Sequence, residues 1–414
     1  MRSERFSGAV RRILTIIAIV VTLLTAAIAA NTEKILYSFA GGSDGEYADT
    51  ELVRDSAGNL YGTTVQGGIG AGTVFQVTPS GTHTVLYSFT GGTDGGEPYK
   101  GVTLDSQGNL YGTTVIGGLY SGACIDTSCG VVYKLTNSGG SWTESVIYSF
   151  TGGNDGYGPG SPVVFDKHGN LYGTTPSGGA DNSGVIFQLK PNVSGKWTFK
   201  VIHTFTGGND GASASAGRLL IDGAGNIYSV ATAGGKYGKG TAFELTPTAS
   251  GGWKFSLLYS FKGQPDAGFP YGGLLPDGRG HLYGTTYYDG ANGWGSVYQL
   301  THSNGGWQES VLYSFQGGAD GSGPISTLVF DAAGHLYGTT SAGGAASCGC
   351  GTIFKLTPSA NGKWTESVAH SFSNSPDGAF PYSGLITDNA GNFYGTTVAG
   401  GDPDGDGAVY EFTP

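Results

Sequence analysis

Three carboxylates occupy alternate positions in Asp402-Pro-Asp404-Gly-Asp406-Gly407. Side chains at that spacing can converge on one hard cation, and the glycine permits a sharp turn, so the run matches the opening of a calcium loop. The match is half complete. The twelfth loop position is Thr413, where the motif needs a bidentate glutamate, and the ninth, Tyr410, belongs to an apolar strand pattern. A weak site is expected, with a dissociation constant on the order of 0.1–1 mM; the alternative is a solvated acidic loop. Cys124 and Cys129 flank an insertion in one loop, and Cys348 and Cys350 flank a single glycine in another. An even cysteine count in an exported chain predicts disulfides, here 124–129 and 348–350. Zinc is the alternative, but four cysteines in two separated units match no zinc spacing.

Glu51 and Arg218 stand at equivalent places in a recurring apolar stretch, where the other copies carry Gly, Pro or Thr. They either face one another across an interior or are each solvated. Aromatic residues collect in the glycine-rich segments: Tyr47, Tyr99, Tyr157, Phe269, Tyr271, Phe380 and Tyr382 in one set, and Tyr120, Tyr237, Tyr287, Tyr288 and Trp294 in another. Rings beside Asp and Gly suit stacking on sugars, with carboxylates accepting hydroxyl hydrogen bonds. The alternative is that they plug junctions between packed elements, because aromatics favour burial. Tyr47, Glu51, Tyr99, Arg218, Tyr271, Tyr288, Trp294 and Tyr382 form the candidate ligand set. The histidines form no catalytic pattern. His281 and His335 replace a turn asparagine, His203 and His370 replace a strand tyrosine, and His83, His168 and His302 lie in turns or at strand starts. No Gly-x-Ser-x-Gly, His-Glu-x-x-His or phosphate-binding loop is present.

The elements that must hold these residues follow from repetition. Leu36-Tyr37-Ser38-Phe39 returns at Leu86, Ile147, Ile202, Leu258, Leu312 and Ala369, with spacings of 50, 61, 55, 56, 54 and 57. Asn59-Leu60-Tyr61-Gly62-Thr63-Thr64 and Gly72-Thr73-Val74-Phe75-Gln76-Val77-Thr78-Pro79 recur in step with it. A period near 55 means a repeat architecture rather than several domains. Each unit holds four short β-branched or aromatic stretches; in the second they are Val102–Leu104, Asn109–Thr114, Val131–Leu135 and Ser145–Phe150. Four short strands with Gly-rich turns define a propeller blade. Asp55 recurs as Asp105, Asp166, Asp222, Asp277, Asp331 and Asp388 at the first tight turn, where an Asx-turn explains it as structural. Trp142, Trp197, Trp253, Trp307 and Trp364 lead fourth strands and read as edge packing. The expected fold is all-β: a seven-bladed β-propeller of four-stranded antiparallel blades. One fourth-type strand, 34–39, is spare at the start and one is missing at the end, so it closes the ring and removes exposed edges. The runner-up is an open β-solenoid. The long fourth-to-first and second-to-third loops share one face, where function is expected.

The recurring Asp-x-x-Gly-Asn-Leu-Tyr-Gly-Thr-Thr-x-x-Gly-Gly, Gly-Thr-Val-Phe-x-Leu-Thr-Pro and Val-Leu-Tyr-Ser-Phe-x-Gly-Gly-x-Asp-Gly over about residues 34–414 resembles the GloVer-type tandem repeat of bacterial exported "choice-of-anchor" proteins. The turn is also similar, less closely, to NHL-type propeller blades. The resemblance implies an exported or surface-bound propeller and no established activity. This chain departs from the pattern in ending with the repeats, so a C-terminal anchor is not expected.

Residues 1–30 carry Arg2, Arg5, Arg11 and Arg12, then the apolar run Ile13–Ala30 with Ala27-Ile28-Ala29. That is the layout of a secretory signal cleaved near Ala29/Ala30, leaving residues 31–414 as the propeller; the alternative is an uncleaved anchor. The mature chain has 16 basic and 30 acidic residues. That balance argues against nucleic acid, and no later segment is apolar enough to span a bilayer. Gly is 78 of 414 without a three-residue period, which excludes collagen, and 12% aromatics can build a core, which excludes disorder. The expected protein is a secreted, periplasmic or cell-surface monomer. It is read as a non-catalytic binding or scaffold module for extracellular glycan or protein, with no cofactor other than calcium. A polysaccharide lyase or glycosidase is the alternative, which needs an acid/base pair at the channel mouth.

Overall fold

In the computed structural model, residues 31–119, 124, 128–214, 217–401 and 405–414 are described. They form seven antiparallel sheets, one per repeat. Blade 1 runs Val53–Arg54, Leu60–Thr64, Thr73–Val77, His83–Ser88, each strand paired with the next. Blades 2 to 6 follow the same order, within residues 102–149, 164–204, 220–260, 267–314 and 322–371. In blades 5 and 6 an additional short strand, Ala267–Pro270 or Ser322–Pro324, pairs with the second strand beside the first. In blade 2 the third and fourth strands are longer than the sequence suggests, at Val131–Ser138 and Ser141–Ser149, because they continue into a two-residue hairpin turn at Gly139-Gly140.

Blade 7 takes its fourth strand from the other end of the chain. Thr32–Ser38 pairs with Ala408–Thr413, Thr32 opposite Thr413 and Ser38 opposite Ala408. The closing strand thus begins two residues before the expected 34–39 and stops one earlier. Phe39 leaves the sheet to fill the next seam.

That seam shows what joins the blades. The phenylalanine after each fourth strand packs edge-to-face on the third-strand aromatic of the following blade. Phe89 meets Tyr133 at 5.0 Å, Phe205 meets Phe243 at 5.4 Å, and Phe372 meets Tyr410 at 5.2 Å. Phe39 does the same to Phe75 at 5.1 Å, joining blade 7 to blade 1. All seven phenylalanines are fully buried. Second-strand threonines add hydrogen bonds between blades: Thr113 Oγ1 donates to the Ser161 carbonyl at 3.1 Å, and Thr396 Oγ1 to that of Thr50 at 3.0 Å. The Leu-Tyr-Gly-Thr-Thr strand is buried along its whole length. Its glycine has a steric cause: a Cβ on Gly62 would lie 2.7 Å from the Phe75 ring.

The recurrent aspartate is the turn residue it reads as. Asp55 Oδ1 accepts from the Ala57 and Asn59 amides, each at 2.9 Å, and Oδ2 accepts from the Tyr61 hydroxyl at 3.0 Å. Where histidine replaces asparagine the contact is kept, His335 Nδ1 lying 2.6 Å from Asp331 Oδ2. The tryptophans bridge seams on the same face, Trp253 of blade 4 lying edge-on to Tyr172 of blade 3 at 5.8 Å. Disulfides join Cys124 to Cys129 and Cys348 to Cys350. The signal-like segment 1–30, Tyr120, Asp402 and Asp404 fall outside the described residues.

Candidate functional site

The mouth on the long-loop face is built by a backbone device repeated in every blade. One residue of the fourth-to-first loop bridges the strand-end of its own blade, and the next turns left-handed. These turning residues include Tyr47 (φ 58°), Glu97 (φ 52°), Ser213 (φ 57°), Phe269 (φ 57°) and Phe380 (φ 58°), with Gly158 and Gly323 in blades 3 and 6. Non-glycine residues there cost about 1–2 kcal/mol each and persist only where surroundings fix them. Here the turn is fixed on both sides: the Val65 amide donates to the Tyr47 carbonyl at 3.1 Å, and the Tyr47 amide to Asp406 O at 3.2 Å. Two residues on from the turn stand Asp49, Tyr99, Tyr271, Ile325 and Tyr382.

Asp49, Lys100, Tyr271, Tyr287, Ile325 and Tyr382 line a cavity of about 310 Å³. Lys100 Nζ donates to both Asp49 oxygens at 2.7 Å. Burial opposes the Lys100 charge, but the Asp49 carboxylate outweighs it and holds the ammonium above its ordinary pKa. The Tyr99 phenol is raised by burial and then by Glu97 and Asp49. The rings of Tyr271 and Tyr287 lie 6.0 Å apart, and Tyr287 and Tyr288 4.3 Å apart.

Below the cavity the channel narrows. Arg218 Nε donates to Glu51 Oε2 at 3.0 Å, so blade 4 reaches blade 1, and Arg218 Nη1 donates to Thr103 Oγ1 of blade 2 at 3.2 Å. The space around the pair is only about 30 Å³. A wider hollow of about 500 Å³, lined by Arg54, Thr103 and Thr387, opens beneath it. Adjacent blades also meet closely just before their inner strands, where a Cβ on Gly217 would lie 2.2 Å from the Gly273 nitrogen. The mouth cavity therefore leads to a constriction at the Glu51–Arg218 pair.

The candidate ligand set divides accordingly. Tyr271 and Tyr382 line the cavity, and Glu51 and Arg218 form its floor. Tyr99 stands beside the Asp49–Lys100 pair. Tyr47 is exposed on the rim. Tyr288 and Trp294 are also exposed but sit away from the cavity wall, Tyr288 edge-on to Phe269 at 6.0 Å and Trp294 packed over Gly317. Sequence reasoning missed Asp49, Lys100 and Ile325, and named Tyr287 among the loop aromatics without placing it in the ligand set. The available signal was a break in the repeat, since Lys100 stands where other blades have small residues. Of the acidic run, Asp406 is described, with its carboxylate against Gly41. Among the described residues no group of three or more His, Cys, Asp or Glu could hold a metal ion.

Fold and site together define a ring-closed, seven-bladed β-propeller whose channel narrows below its mouth. The family model of the Gloeobacter/Verrucomicrobia repeat matches residues 22–125, 119–251 and 215–414, and the chain belongs to that family. No curated protein matches it. Among solved structures it is similar to the extracellular domain of a candidate hybrid two-component system of B. thetaiotaomicron, at TM-score 0.56 and 12% identity over 92% of this chain and 39% of that one. The chain thus spans about two fifths of that protein's length. It is also similar to a candidate 6-phosphogluconolactonase of Bacteroides uniformis, at TM-score 0.53 and 13% identity over 81% and 88% of the two chains. A third likeness is to a Lactobacillus plantarum protein, at TM-score 0.52 and 13% identity over 86% and 99%. At these identities the likeness is one of fold. No helix among the described residues is long and apolar enough to cross a membrane.

Proposed function

We propose that the protein is an exported, non-catalytic module that binds an extracellular glycan by a chain end at the mouth. The observation that carries this is the cavity walled by Tyr271, Tyr287 and Tyr382 beside the Asp49–Lys100 pair, above a constriction. Tyrosine rings offer faces for a sugar's C–H surface, and the ion pair offers donors and acceptors for hydroxyls. A constriction at Glu51 and Arg218 favours an end over a threaded chain. Binding is favoured over hydrolysis because Asp49 and Glu51 are each committed to a cation, which works against a free acid/base role. Export is supported by the N-terminal signal pattern and by two disulfides, which persist in oxidising compartments.

The test is a glycan array followed by calorimetry on the best binder, with Tyr382→Ala and Tyr271→Ala beside the parent. Each variant should weaken binding about tenfold or more without lowering Tm. Unchanged affinity in both would remove the mouth as the site, and release of reducing sugar by the parent protein would favour the enzyme reading.

A further inference from the structure

The charge of the chain is unevenly spread. Residues 164–261, most of blades 3 and 4, hold eight of the sixteen Lys and Arg that follow residue 30, but five of the thirty carboxylates. The rest of the ring carries eight basic against 25 acidic residues. On the short-turn face, remote from the mouth, a cavity of about 330 Å³ lies at the seam between these two blades. Blade 3 contributes Lys167, His168 and Lys190 to its wall, and blade 4 contributes Pro247, Gly251 and Trp253. Lys167 Nζ reaches across to the Gly223 carbonyl at 3.1 Å, and the neighbouring Lys200 Nζ to that of Gly251 at 3.1 Å. An ammonium has three N–H bonds, so each retains donors for a ligand. Trp253 is half-buried, its ring edge-on to Tyr172 at 5.8 Å.

The neighbouring seam supplies an internal comparison. Between blades 2 and 3 a groove of about 490 Å³ has the same frame, with Tyr111, Pro191 and Trp197 where the other has Tyr172, Pro247 and Trp253. Its turn, however, reads Asp105-Ser106-Gln107, against Asp166-Lys167-His168. Thr136 likewise stands where blade 3 has Lys190. The indole and tyrosine are common to both grooves and belong to the architecture, while the cations are peculiar to one and are not needed to join blades. A cationic cavity with an aromatic wall on an otherwise acidic ring is a site for an anion carried on a ring. The turn carboxylates decide which anion. Burial opposes their charge, but hydrogen bonds from Asn170 and Asn226 outweigh it and keep Asp166 and Asp222 below the ordinary carboxylate pKa. Two ionised carboxylates on the rim repel a densely charged polyphosphate more than a singly charged ring.

We propose that the groove between blades 3 and 4 binds an acidic saccharide, a uronate ring lying against Trp253 with its carboxylate between Lys167 and Lys190. This second site does not depend on the mouth. The experiment is calorimetry with a galacturonate oligomer of about five units, a neutral glucose oligomer of equal length and a single-stranded oligonucleotide of equal charge. The proteins are the parent, Lys167→Gln/Lys190→Gln and Tyr382→Ala. The expected result is galacturonate binding that weakens with added salt, falls at least tenfold in the lysine variant at unchanged Tm, and is kept in Tyr382→Ala. No binding of galacturonate, equal binding of the neutral oligomer, tighter binding of the oligonucleotide, or an unaffected lysine variant would each overturn the proposal. Loss of binding in Tyr382→Ala alone would assign the acidic glycan to the mouth instead.

Discussion

Arg218 narrows the channel by holding groups from two other blades at once, Glu51 of blade 1 and Thr103 of blade 2. Side chains in this pair keep 25% and 18% of their surface exposed, so the pair is worth less than a buried one but its loss strands a carboxylate in a narrow throat. Arg218→Met should lower stability by about 1–2 kcal/mol, and adding Glu51→Gln should recover part of that. Urea denaturation of the two single variants and the double variant measures the coupling. A different residue-scale cost sits in the third strands. Tyr298 is fully buried and its hydroxyl has no partner, whereas blades 1, 3, 4 and 6 have Phe at that place. Desolvating a hydroxyl without a bond is unfavourable, so Tyr298→Phe should raise stability by about 1 kcal/mol, read as an increase in Tm. Glu51 and Arg218 were legible in the sequence because they break the repeat at one aligned position. Asp49 and Lys100 were not, because they sit one position apart in the aligned units, and only the blade-to-blade offset brings them within 2.7 Å.

The closing strand shows how much of the element scale a repeat reveals. Counting strand types placed Lys34–Phe39 in blade 7, and pairing of Thr32–Ser38 with Ala408–Thr413 bears that out. What counting could not give was the seam. Aligned units show that Phe39 recurs, but not that it packs on the next blade rather than its own. That distinction needs the sheet's twist and the bulge between third and fourth strands, which appears in every blade, as at Val74/Phe75. Phe39→Ala should therefore act on two blades together and lower stability by about 3–5 kcal/mol, the range for a fully buried phenylalanine. Deleting residues 31–39 should go further and expose the edge of Ala408–Thr413, giving aggregation on size exclusion. A truncated chain that elutes as parent and melts at the same temperature would show that the ring does not need the strand. His203 and His370 read as packing substitutions for a strand tyrosine, yet they also keep that tyrosine's contact to an aspartate seven residues on, His370 Nε2 lying 3.1 Å from Asp377 Oδ2. The spacing was visible in every unit; its meaning required the loop to fold back on the strand.

Across the whole ring the seams carry a set of groups that titrate together. Glu33, Glu144, Glu309 and Glu366 occupy one position of the fourth strand, and each has a buried oxygen without a hydrogen-bond partner. Each faces groups of the preceding blade: Glu33 meets His370 and Asp377, Glu144 meets Asp94, Glu309 meets Asp266 and Lys262, and Glu366 meets Asp320 and Tyr313. Burial above all, and then the neighbouring aspartate, pushes each glutamate up to about 7 from 4.5, with His370 partly opposing this at Glu33 and Lys262 at Glu309. A carboxyl raised on folding contributes stability that is full below 4.5 and is lost as pH climbs through 7, since the unfolded chain gives up its proton first. The turn aspartates work in the other sense, because Asp55, Asp166 and Asp388 are lowered and their contribution is lost only as pH falls below the ordinary carboxylate value of 3.8. His83 and His203 are lowered by burial and also disfavour acid, below 6.5. Four glutamates against two histidines leave a net fall in stability as pH rises from about 5 to about 8, so Tm should be higher at the acid end of that window. Differential scanning calorimetry across it gives the slope, and the triple variant Glu144→Gln/Glu309→Gln/Glu366→Gln, which keeps three seams permanently neutral, should flatten it. A parent protein whose Tm rises over the same window, or a triple variant with the parent's slope, would place the ring's pH response in groups other than the seam carboxyls.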